Sequence, residues 1–75
     1  MDTTLLNRIT TNPKVLTGKP VIRGIRISVE NVLLMLASGI SYQGIIDEYP
    51  MLETDDIKAC LLFAANKISM ETETA

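Results

Sequence analysis

The sequence predicts a mainly α fold: three short helices behind a short N-terminal β-arm. Three observations carry this. The first third of the chain, Arg8 to Ile27, is rich in Thr, Val, Ile, Gly and Pro, which disfavour helix and allow short extended pieces. From Ser28 onward, apolar residues recur at helical spacing behind capping residues. The connections from Ser38 to Ser41 and from Tyr49 to Thr54 are tight, which gives the second and third helices the dimensions of a helix-turn-helix unit.

The elements follow in order. Residues 1–8 are expected to form a flexible leader, in which Leu5 and Leu6 are the candidates for docking. Short strands are expected near Ile9, Val21-Ile22 and Ile25–Ile27, punctuated by turns at Asn12-Pro13 and Gly18-Lys19-Pro20. Ser28 caps a first helix to about Ser38, with Glu30 in its first turn and Gly39 just beyond its end. Its apolar stripe is Val29, Val32, Leu33 and Leu36. Ser41 caps a second helix to about Tyr49, with Ile45, Ile46 and Tyr49 facing the core, and Pro50 ends it. Thr54 caps the third helix, whose stripe reads Ile57, Cys60, Leu61, Ala64 and Ile68. Asp55 and Asp56 complement the positive end of that helix dipole. One domain spans 9–69, and 70–75 is expected to be a disordered acidic tail.

Composition narrows the function classes. With 75 residues the chain is one small domain, and with no histidine and a single cysteine, Cys60, it has neither a disulfide framework nor a nucleophile–histidine pair. Cys60 falls on the core stripe and reads as a small apolar residue. The carboxylate pairs Asp47-Glu48 and Asp55-Asp56 read as a solvated acidic face, not as a magnesium site. The chain is therefore not expected to be an enzyme, and no metal, cofactor or small-molecule substrate is expected. No apolar run approaches the ~18 residues of a membrane span, and a soluble cytoplasmic protein is expected. Charge is unevenly distributed. Five cations and no carboxylate lie between Thr3 and Val29, whereas eight acids and only Lys58 and Lys67 follow from Glu30.

The stretches "GKPVIRGIRISVENVLLMLASGIS" and "IIDEYPMLETDDIKACLLFAA" resemble a prokaryotic family catalogued as a domain of unknown function, number four hundred and thirty-three. The likeness covers Ile9 to Ala65. The chain departs from the family pattern in three places: Ile25 stands where Thr is usual, Glu48 replaces the Asp before Tyr-Pro, and Ser41-Tyr42-Gln43-Gly44 occupies a usually acidic stretch. The resemblance implies a homeodomain-like helix-turn-helix bundle. It also implies an antitoxin role, binding and inhibiting a PIN-like ribonuclease toxin, with autoregulatory DNA binding as a secondary possibility. A stand-alone DNA-binding regulator and an interaction module that binds no DNA are the alternatives.

Two sets of residues are candidates for contact. Arg8, Lys19, Arg23 and Arg26 in the arm, with Lys58 on the third helix, suit phosphates or an acidic protein partner. The acidic start of the third helix argues against its use as a groove reader, so any DNA contact falls to the arm. Leu34, Met35, Leu62 and Phe63 exceed the apolar surface that so small a monomer hides, and form the expected interface of a homodimer or a toxin complex.

Overall fold

The computed structural model describes residues 3–74, with side chains from residue 4 to residue 69. Two short antiparallel strands, β1 (Ile9–Thr10) and β2 (Val21–Ile22), precede three helices, α1 (Val29–Ala37), α2 (Tyr42–Glu48) and α3 (Thr54–Thr74). This is the three-helix domain with an N-terminal hairpin that the sequence predicts. Ile9 lies opposite Ile22 and Thr10 opposite Val21.

Local chemistry explains most boundaries. After β2 the chain reverses through Arg23 and Gly24, at φ +48° and +75°, and the Ile25 N–H donates to the Ile22 carbonyl at 2.9 Å. Positive φ at both central positions is the signature of a type I′ turn, whose twist suits a hairpin. The expected strand at Ile25–Ile27 is reduced to the Ile22 N–H bond to the Ile27 carbonyl and a single Val21–Ser28 bridge. The turn uses up the residues that a ladder would need. Ser28 then caps α1, its Oγ accepting from the Asn31 N–H at 3.0 Å.

Gly39, at φ +91°, closes α1. Its N–H reaches the Leu36 carbonyl and the Ile40 N–H reaches the Met35 carbonyl, which is a Schellman motif. Ser41 Oγ accepts from the Gly44 N–H at 3.0 Å and caps α2. Glycine early in a helix is unfavourable by about 1 kcal/mol against alanine. Here the reason is steric: a Cβ on Gly44 would sit 2.9 Å from Ile40 Cγ2.

The core is where the arm meets the helices. Ile22, Val32, Ile45, Ile57 and Cys60 have no exposed surface, and Ile27, Val29 and Leu52 complete the cluster. The predicted stripes of α1 and α2 face it, with Leu33, Leu36, Ile46 and Tyr49 half-buried at its margin.

The structure differs from three expectations. Residues 3–8 are not a loose leader but a 3-10 helix, Thr3–Arg8, which packs along α3 with Leu5 and Leu6 half-buried. Held between this segment and the other helices, α3 buries Ala59 and Leu62 as well as Ile57 and Cys60. The buried arc is thereby rotated away from the expected stripe, and Leu61 and Ile68 are 41% and 64% exposed. The α3 backbone also continues to Thr74, where a disordered tail was expected. Side chains from residue 70 lie outside the described residues, as do residues 1, 2 and 75. Among the described residues no helix is long and apolar enough to cross a membrane.

Candidate functional site

The hairpin register brings Arg8 and Arg23 side by side, since they flank the Ile9–Ile22 pair and the Arg23 N–H donates to the Arg8 carbonyl. Two adjacent guanidinium groups need an anion, and the start of α3 supplies one. Asp56 is fully buried, and its carboxylate accepts four hydrogen bonds. Oδ1 takes Arg8 Nη1 at 3.0 Å and Arg23 Nε at 3.1 Å. Oδ2 takes Arg23 Nη2 at 3.0 Å and the Glu53 N–H at 2.8 Å. Those four bonds fill the accepting capacity of a carboxylate. The bond to the Glu53 N–H is the reach-back half of a capping box. Arg23 Nη2 also donates to the Met51 carbonyl at 2.7 Å, and Arg8 Nη1 to Glu53 Oε1 at 2.6 Å.

Burial alone would push the Asp56 carboxyl up. The Glu53 N–H, then Arg23 and Arg8, more than reverse this and hold it below its ordinary value of 3.8. Bonds to Glu53 and Asp56 raise the Arg8 guanidinium further still. A carboxyl depressed on folding adds stability in full above its unfolded value and loses it as pH falls through the folded one. The melting temperature is expected to hold from neutral pH to about pH 5 and then to drop steeply below about pH 4. Subtracting the curve of Asp56→Asn isolates this group, because the other carboxylates are common to both proteins. A pH-independent difference would contradict the assignment.

This cluster changes the reading of three residues. Asp56 is no part of a solvated acidic face. Arg8 and Arg23, expected to meet a partner, are turned inward to the protein's own helix. Arg26, three residues beyond Arg23, diverges from it. It is exposed and lines a surface recess of about 600 Å³ together with Leu16, Thr17, Lys19, Ser28 and Asn31. Lys19 there pairs with Glu30 at 3.0 Å, while Arg26 enters no ion pair among the described residues. Leu16 and Thr17, which also line it, sit at φ +48° and +54° in a single left-handed turn, a conformation costly for residues with a Cβ.

Beyond Glu30 and Leu34 the recess adjoins a second, apolar groove of about 490 Å³ between α1 and α3. Pro20, Val29, Leu33, Leu34, Phe63 and Ala64 form its walls, with Glu30 and Lys67 on its rims. The two together make one continuous face, cationic at one end and apolar at the other.

The family model described as "Protein of unknown function (DUF433)" matches residues 9–64. The chain belongs to the DUF433 family. Among curated proteins it is similar to the uncharacterized protein y4eO of Sinorhizobium fredii (strain NBRC 101917 / NGR234), with 32% identity over 56 residues. Those residues are 75% of this chain and 25% of the relative, so the chain spans about a quarter of that protein's length. No solved structure matches significantly.

Within the DUF433 match lie Arg23, Arg26, Asp56, the recess and all of the apolar groove but Lys67, while Arg8 falls just outside it. The remaining expected contact residues fall into three groups. Lys58 is exposed on α3, away from the recess, and joins no ion pair among the described residues. Leu34, 59% exposed, and Phe63 line the apolar groove, as an interface requires. Leu62 is buried, and Met35 is half-buried against the core, so these two serve the domain's own packing. Cys60 is buried too, and its thiol is pushed up to about 12 by burial, with the Asp56 charge adding to the effect. Such a thiol is unreactive.

Proposed function

We propose that this DUF433 domain is an antitoxin-like interaction module that binds and inhibits a PIN-like ribonuclease, with Arg26 as the residue that enters the nuclease. The nuclease is the partner that the family resemblance implies. The observation that supports it here is the position of Arg26: an exposed, unpaired guanidinium on the rim of a recess, next to an apolar groove. PIN-like nucleases hold a carboxylate cluster for their metal ions, and an arginine placed among those carboxylates takes the cation's position with charge-assisted bonds. Backbone strain at Leu16 and Thr17, which line the same recess as Arg26, fits a surface kept in shape for a partner rather than for stability.

Arg26→Ala and Arg26→Glu are expected to melt like the parent protein, because the side chain makes no ion pair among the described residues. Both are expected to release the nuclease by at least about tenfold, since truncating one member of a desolvated charge pair commonly costs ~2–5 kcal/mol. Inhibition by both variants at the parent level would refute the mechanism. DNA binding has less support. Arg8 and Arg23 are occupied by Asp56, and Glu53 and Asp55 stand exposed at the start of α3 where phosphates would approach.

A further inference from the structure

The α1–α3 groove is self-complementary. Its lining includes Glu30 at the start of α1 and Lys67 on α3; within the chain Glu30 pairs with Lys19 at 3.0 Å and not with Lys67, and its side chain stays 64% exposed. Lys67 instead lies over the Phe63 ring, 5.5 Å from its centre. Between the rims the walls are apolar, and Leu34 stands at the edge with 59% of its surface exposed. We propose that a second copy of this chain occupies the groove, related to the first by a two-fold axis.

A two-fold turns the groove's charge asymmetry into a match. Lys67 of each copy meets Glu30 of the other, and Leu34 of each enters the slot between Leu33 and Phe63 of the other. An unrelated partner would need its own anion and cation at that separation, whereas a second copy has both by construction. A standard interface takes about 800 Å² from each partner. That is a modest share of this chain's 5012 Å². The proposal does not depend on the nuclease reading. Arg26 lines the neighbouring recess and is not among the residues of the groove.

Sedimentation equilibrium from low to high micromolar concentration tests it. The mass is expected to rise from 8.3 kDa toward twice that value. Leu34→Glu is expected to raise the dissociation constant ~100-fold and leave the circular dichroism spectrum unchanged, since the side chain is already exposed. Glu30→Lys and Lys67→Glu are each expected to weaken association ~10-fold by placing like charges opposite one another. An equimolar mixture of those two variants restores both cross-pairs, and is expected to associate like the parent protein. A parent chain that stays monomeric at several hundred micromolar would overturn the proposal. So would a Leu34→Glu dimer of unchanged affinity, or a mixture no tighter than its components.

Discussion

Asp56→Ala is expected to lower stability by about 3 kcal/mol, which for a domain of this size shifts the melting temperature down by ~12–24 °C. Removing one member of a buried ion pair typically costs ~3–5 kcal/mol, and the lower end applies because Arg8 and Arg23 can rehydrate. Both are partly exposed, at 29% and 40% of their side-chain surface. The alanine variant also loses the acceptor for the Glu53 N–H, so the first turn of α3 loosens with it. Arg23→Ala is expected to produce a smaller drop, since Arg8 and the Glu53 N–H still serve the carboxylate. Thermal unfolding followed by circular dichroism decides. A shift of under ~3 °C for Asp56→Ala would mean that the cluster adds nothing net to stability.

Ile57→Ala, one residue further on, is expected to cost about 3–4 kcal/mol, whereas Leu61→Ala stays within about 0.5 kcal/mol. Ile57 has no exposed surface and sits where α3 meets the arm, α1 and α2. Truncating it leaves a cavity that rigid neighbours fill poorly. Total stability for a chain of this length is about 4–11 kcal/mol, so the variant stands near the edge of folding. Leu61 is 41% exposed, and its loss uncovers little. The pair measures which face of α3 is buried. Equal losses from denaturant titration would restore the stripe that periodicity suggests and remove the rotation described above.

Local signals were legible in the sequence wherever a residue's role depends on its near neighbours. Ser28 and Ser41 cap, Gly39 takes a left-handed conformation, and Val29, Val32 and Ile45 face inward, each for reasons contained within a few residues. The Asp56 cluster was not legible. Its partners lie 33 and 48 residues away, and Asp55 and Asp56 are chemically alike. A 100° step around the helix separates the buried carboxylate from the exposed one, and its direction depends on what packs against α3. The same holds for Leu62. Nothing near it in the chain announces that Thr3–Arg8 will cover a second side of the helix. A surplus of apolar residues on α3 was read as an interface, when part of it was the footprint of that segment.

The Asp56 carboxylate ties three distant pieces of chain, residues 8, 23 and 53–56, into one knot. Opening any one of the three strips hydrogen bonds from a carboxylate that has no exposed surface. Amide hydrogens of the β1–β2 pair and of the first turn of α3 should therefore exchange with solvent at a common opening free energy, although the two segments are remote in sequence. The hairpin at one end and the long helix at the other behave as a single cooperative unit, and the arm is not an appendage that frays before the helices do.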